Sequence, residues 1–205
     1  MYINNGFFRA ADDHVSNFEG FEMPPSWWSR HYEYPWAFQH AAPGQIVADM
    51  GCGYTWRPFM PALAKRCKKV YAVDGRKEML SLAPFPWNVL PVVCDMGAVP
   101  IDGGCLDRVF CVSVMEETSN PAAVLKEFGR LLAPDGRVVL TFDVPHDPAR
   151  GLGRCKGYPL NQFWADVAAA GLVPDGENEV AIPREPIIYH EEFNLCCYHA
   201  LLKHA

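Results

Sequence analysis

Three short stretches put residues able to grip a small ligand at the ends of apolar runs. In the first, IVADMGCGYT, an apolar run leads into Asp49, Gly51 and Gly53. Glycines in G-x-G spacing let the backbone turn sharply and let a ligand approach the main chain closely. In the second, VYAVDG, the run ends in Asp74, about twenty residues after Gly53, where a carboxylate can accept hydrogen bonds from both hydroxyls of a ribose. In the third, VVCDM, Asp95 ends the run; an acid there can accept from the exocyclic amine of a purine, with Met96 against the ring. Singly, each aspartate reads equally well as a helix cap or turn residue. Three of them at successive run ends, beside a glycine turn, point to one shared nucleoside-like ligand. The glycine turn also opens the dinucleotide fingerprint, but that pattern wants a third glycine where this chain has Trp56, which counts against a nicotinamide cofactor.

Holding these residues together requires alternating strands and helices. The apolar patterning predicts strands at Ile46–Met50, Lys69–Asp74, Val89–Cys94, Asp107–Val112 and Arg137–Phe142, with two more inside Leu172–Ile182 and Phe193–Lys203. Helices are expected at Pro58–Cys67, Arg76–Ala83, Pro121–Leu132 and Leu160–Ala170. Asn120 and Pro121 form a cap-and-first-position pair, Gly171 is a stop, and Pro134-Asp135-Gly136 reads as a turn. Such alternation implies an α/β fold, a three-layer sandwich around a mostly parallel seven-stranded sheet. The last two strands lack a helix between them, so the final strand should be antiparallel. Ligands in such sheets sit beyond the carboxyl ends of the strands, at the switch point.

From Ile46 to Val144 the chain resembles the class I S-adenosylmethionine-dependent methyltransferases, in particular the small-molecule methyltransferases. The matching stretches are VADMGCGYT, VYAVDGRKEML, CDMGAVPIDGGCLDRVFCVSVMEET and NPAAVLKEFGRLLAPDGRVVLTFD, in that order. The resemblance implies S-adenosylmethionine as cofactor and a seven-stranded sheet with a reversed last strand. It also implies roles for particular residues. Asp49, Gly51 and Gly53 would shape the pocket for the methionine part, and Asp74 would hold the ribose. Arg76, Asp95 and Met96 would lie on the adenine side, and Val114 would contribute backbone. The segment WWSRHYEYPWA resembles caps in some small-molecule members, which would let Arg30 pair with the methionine carboxylate, as guanidinium geometry suits. A packed aromatic lid with Arg30 on its surface is the competing reading. The chain departs from the family at Tyr54 and at Glu116-Glu117, where many relatives carry a histidine.

Transfer from a sulfonium needs alignment and exclusion of water more than an acid or base. Candidates for a base, where one is needed, are His146, His190 and Glu117. The expected activity is transfer of a methyl group to O or N of a small-molecule acceptor. The alternative is a catalytically inactive cofactor-binding regulatory subunit, which Tyr54 and Glu117 would support.

Composition narrows the partners. The 205 residues suit one domain over 1–205, with an aromatic-rich cap at 1–42 and a Rossmann-like core at 43–205. A net charge of −6 disfavours nucleic acid, and the basic run Lys65-Arg66-Cys67-Lys68-Lys69 reads as the end of a helix. The eight cysteines show no C-x-x-C pair, so buried reduced thiols are expected and no metal site. No signal-peptide pattern and no membrane-length apolar run is seen, which makes a cytoplasmic location the expectation.

Overall fold

The computed structural model describes residues 4–53, 57–80, 85–147, 149–150 and 156–205. In chain order the elements are β1 (Gly6–Phe7), β2 (Asn17–Phe18), β3 (Phe21–Glu22), α1 (Arg30–Phe38), β4 (Ile46–Met50), α2 (Phe59–Arg66), β5 (Lys69–Asp74), α3 (Lys77–Leu80) and β6 (Val89–Val93). Then follow β7 (Leu106–Val112), a 3₁₀ turn (Met115–Glu117), α4 (Pro121–Leu131), β8 (Leu132–Pro145), α5 (Leu160–Ala169), β9 (Leu172–Pro174), β10 (Tyr189–His190) and β11 (Leu195–His204).

The main sheet runs β6-β5-β4-β7-β8-β11, with neighbours parallel until β11, which lies antiparallel to β8. The strand order reverses between β4 and β7, which opens a crevice above their carboxyl ends. All seven expected strands are present. Two further short strands join them, because β10, β1 and β9 pair one after another along the outer edge of β11. That arrangement covers an edge that would otherwise offer free backbone groups.

Successive strand residues face opposite layers. Val109 and Cys111 of β7 join the core on the side of α4 and α5, while Phe110 and Val112 join the core that α1 and α2 close. The Asn120 side chain accepts from the Ala123 amide at 3.2 Å with Pro121 in the first turn, so α4 starts as its sequence predicts. Gly171, at φ 72°, follows α5.

Pro134-Asp135-Gly136 differs from expectation. It lies within β8, as an outward bulge between the pairs Leu106–Leu132 and Arg108–Arg137. The turn-forming residues are there, but the pairing of β7 with β8 resumes on both sides of them. The expected helix at Arg76–Ala83 is described as Lys77–Leu80, with Arg76 just before it and 81–83 outside the described residues.

The first forty residues hold a hairpin and a helix. Glu19 and Gly20, at φ 52° and 88°, join β2 to β3 in the two-residue turn that suits a twisted hairpin. Pro35 sits inside α1 and has no N–H for the carbonyl of His31; the Val15 amide fills that place, donating to His31 O at 3.0 Å. The proline thus becomes a docking point for the segment preceding the hairpin. Among the described residues no helix is long and apolar enough to cross a membrane.

Candidate functional site

The turn after β4 is built from main-chain bonds. The amides of Gly51 and Cys52 donate to Val73 O at 2.8 and 3.1 Å, which folds the turn back onto β5. Gly51 and Gly53 both have positive φ, 68° and 66°. A Cβ on Gly51 would lie 2.5 Å from Val114 Cγ1, so this turn needs glycine for conformation and for space. Tyr54, Thr55 and Trp56 lie outside the described residues.

Asp74 closes β5 and is buried. Its carboxylate accepts the Gly53 amide at 3.0 Å and the Arg76 amide at 2.9 Å. The Arg76 Nε donor stands 3.5 Å away, on a largely exposed side chain. Asp95 accepts the Gly97 amide at 2.7 Å, so it shapes a turn and also lines the cleft. Asp49 lies beneath, 4% exposed. Burial, with the nearby charge of Asp74, pushes its carboxyl up to about 7 against the opposing pull of Arg57.

These elements enclose a cleft of about 720 Å³. Gly51, Gly53, Asp74, Arg76, Asp95, Met96 and Val114 all line it, so the sequence-predicted set converges there except for Asp49 and Arg30. A second cavity of about 290 Å³ adjoins it and shares Arg57, Ser113 and Glu117 as walls. Arg30 lines this second cavity with Trp27, Trp28 and Tyr34. Its guanidinium pairs with Glu33, one helical turn on.

Glu33 escapes sequence reasoning. It is fully buried and accepts from Ser29 Oγ and Ser113 Oγ, each at 2.8 Å, from Thr141 Oγ1 and Arg30, and from the Cys197 thiol at 3.5 Å. Burial pushes its pKa up, yet Arg30 and the three hydroxyls outweigh burial and hold it below the ordinary glutamate value. The only local signal was spacing: Ser29 and Arg30 stand four and three residues before Glu33, on one helix face. Ser113 follows β7 and Thr141 lies within β8, and no spacing links either to Glu33. Ser113 also takes φ 49°, a conformation uncommon for a residue with a side chain, as its amide donates to Thr141 O at 2.9 Å.

Of the expected bases, Glu117 lines both adjoining cavities and the two histidines do not. Glu117 is exposed and pairs with Lys156 at 3.4 Å. His146 packs on the Tyr189 ring at 4.3 Å, and His190 lies between Trp28 and Phe193. Neither histidine lines the two adjoining cavities. Two further carboxyl residues line the smaller one, Glu116 and Asp143, and one oxygen of each, Oε2 and Oδ1, is buried with no hydrogen-bond partner among the described residues. Among those residues no trio of His, Cys, Asp or Glu is placed to hold a metal ion.

A family model described as "Methyltransferase domain" matches residues 48–140, the stretch from β4 into β8 that builds the larger cleft. Over that stretch the chain is similar to the class I S-adenosylmethionine-dependent methyltransferases. An uncharacterised methyltransferase of Schizosaccharomyces pombe is 32% identical over 110 residues, covering 49% of this chain and 43% of that protein. A ubiquinone biosynthesis O-methyltransferase of Acinetobacter baylyi is 25% identical over 144 residues, covering 60% and 59%. The chain spans 30% to 59% of the length of these and a further curated relative. Among solved structures, the [4+2]-cyclase SpnF superposes with a TM-score of 0.71 at 14% identity, covering 99% of this chain and 88% of that one. Likeness at that identity carries the fold alone and leaves the chemistry to the site.

The cofactor of this family, S-adenosylmethionine, suits the residues present. The cleft has a glycine floor that a Cβ would fill, a buried carboxylate at the end of β5 and an acid with a thioether at the end of β6.

Proposed function

We propose that the chain transfers a methyl group from S-adenosylmethionine to O or N of a small-molecule acceptor, as one domain in which residues 1–42 cap a core of 43–205. The observation that carries this reading is the pair of adjoining cavities at the sheet's carboxyl edge, one of nucleoside size and one smaller, with Arg57, Ser113 and Glu117 common to both. The 290 Å³ of the second cavity lies at the lower end of the range for small-molecule sites. That the Acinetobacter relative is a ubiquinone biosynthesis O-methyltransferase supports a small acceptor.

In this reading Asp74 holds the ribose, while Asp95 and Met96 meet the adenine with Arg76 at the rim. Gly51 and Gly53 let the methionine part lie against the backbone, with Asp49 beneath and Val114 opposite. Arg57 is the guanidinium best placed for the methionine carboxylate: its Nε has no partner among the described residues, and its Nη1 is 3.5 Å from where a Gly53 Cβ would stand. Arg30, already matched by Glu33, serves the second cavity. Bound S-adenosylmethionine supplies an electrophilic methyl on a sulfonium whose leaving group is a neutral thioether. The protein then has to align the acceptor and exclude water, which the aromatic residues 27, 28 and 34 do from above.

Calorimetric titration with S-adenosylmethionine and S-adenosylhomocysteine tests the first half, and transfer of a labelled methyl group to a panel of small amines, phenols and acids tests the second. Saturable binding of both cofactor forms with turnover on a small acceptor is expected. Labelling of protein or RNA alone would overturn the acceptor class, and no cofactor binding would overturn the reading altogether.

A further inference from the structure

The smaller cavity is lined by more carboxyls than cations. The Arg30 guanidinium on its wall is cancelled by Glu33, and Arg57 lies over the Trp27 ring at 5.7 Å, toward Gly53 and the cofactor cleft. Glu117 is drawn outward to Lys156. What remains facing the cavity is Glu116, from the 3₁₀ turn after β7, and Asp143, from the end of β8. Each presents a buried carboxyl oxygen with no hydrogen-bond partner among the described residues. A buried polar atom left without a partner is costly, and a carboxylate more so. Trp27, Trp28 and Tyr34 wall the same cavity, and aromatic faces attract cations.

We propose that this cavity binds a small amine in its ammonium form, held by the Glu116 and Asp143 carboxylates between the aromatic walls, so that the acceptor atom is nitrogen. The inference rests on the methyltransferase reading for the purpose of the cavity, but the binding chemistry stands apart from it. An ammonium in the cavity can donate to the two carboxyl groups that line it, and its positive charge offsets the repulsion between them. Consistent with that pressure, burial and the neighbouring Asp143 push Glu116 well above the usual glutamate range, and burial with Glu33 pushes Asp143 up to about 7. Before the nitrogen can act as a nucleophile one N–H bond must break, with its proton passing to a carboxylate oxygen as an O–H bond forms and the electron pair staying on nitrogen. A carboxyl pair that holds a proton near neutrality can take it. A phenolate or carboxylate acceptor would instead meet like charge.

The test is direct binding of benzylamine, benzyl alcohol and benzoate, followed by tryptophan fluorescence, on the full chain with and without S-adenosylhomocysteine. Benzylamine is expected to bind at least tenfold more tightly than either of the others. The isosteric variants Glu116→Gln and Asp143→Asn should each lose at least tenfold of that affinity, with S-adenosylhomocysteine affinity changed by less than threefold. Equal binding of amine and alcohol, or preference for benzoate, overturns the proposal even where the cofactor binds normally. Amine selectivity without S-adenosylhomocysteine binding upholds the cavity and brings down the cofactor reading instead. Should both variants unfold, the amine-over-alcohol preference of the unaltered chain still decides.

Discussion

The Asp74 carboxylate accepts the amide of Gly53 at 3.0 Å, so a side chain at the end of β5 fixes the turn that follows β4. The same carboxylate takes the Arg76 amide at 2.9 Å. One group therefore both shapes the cleft and, in the proposed function, meets the ribose. Asp74→Ala removes an acceptor from two amides and from the ligand. With charge-assisted hydrogen bonds worth about 1.5–3 kcal/mol each, S-adenosylhomocysteine affinity should fall by roughly 30-fold or more. Asp74→Asn keeps a carbonyl acceptor and should lose less. Calorimetry on both variants checks the order, and wild-type affinity in Asp74→Ala would remove Asp74 from the site.

Gly51 makes a sharper steric prediction. An alanine there places its Cβ 2.5 Å from Val114 Cγ1 and adopts φ 68°, in the left-handed region. The conformation alone costs about 1–2 kcal/mol. Gly51→Ala should abolish detectable cofactor binding and lower the melting temperature. Adding Val114→Ala relieves the clash and leaves the backbone cost, so the double variant should recover part of the stability. Thermal melts of the two proteins decide this: equal melting temperatures would mean that the contact with Val114 is not what excludes a side chain.

The cofactor side of the site was legible because its parts follow one another along the chain. Each of Gly51, Gly53, Asp74, Asp95 and Met96 ends or follows a strand whose apolar run marks it, and neighbouring strand ends meet at one edge. The acceptor side was less so. Asp143 was visible only as a loop residue and Glu116 as half of an acidic pair, because what distinguishes them is an unpaired oxygen in a closed space, and pairing is decided by residues far away in sequence. Glu33 is the extreme case. Its partners Ser113, Thr141 and Cys197 belong to three different strands or their ends. The bulge at Pro134-Asp135-Gly136 teaches the same lesson for the fold, since turn residues announce a local bend and not whether strand pairing resumes beyond it.

Asp49 couples stability to pH. Its carboxyl, 3.8 in an unperturbed aspartate, is pushed up to about 7 by burial and then by Asp74. The native state therefore binds this proton more tightly than the unfolded chain does. The stability this provides is complete below about pH 4 and is lost as the pH rises through about 7. Asp49→Asn cannot ionise and should be relatively more stable at pH 8 than at pH 4.5, by about 3 kcal/mol. Urea denaturation of both proteins at the two pH values measures it. A difference that does not change between them would show that Asp49 ionises freely in the folded protein.

Glu33 and Arg30 give the opposite dependence. Arg30 and the hydroxyls of Thr141, Ser29 and Ser113 outweigh burial and lower the Glu33 pKa, so its contribution is present above the ordinary glutamate value of 4.5 and is lost as the pH falls through the folded one. Removing one member of such a pair strands the other charge, at a cost of about 3–5 kcal/mol. Glu33→Ala should therefore be among the most destabilising single changes, because it also leaves three hydroxyls without their acceptor. Glu33→Gln retains an oxygen for them and loses only the charge, so it should cost less. Arg30→Met added to Glu33→Gln removes the stranded guanidinium and should recover stability, whereas Arg30→Met alone should destabilise. Chemical denaturation of the four variants closes a cycle, and additive costs would mean that Glu33 is held by its hydroxyls rather than by Arg30. Because the pair is shielded from solvent, raising salt from about 0.1 to 1 M should leave the coupling nearly unchanged.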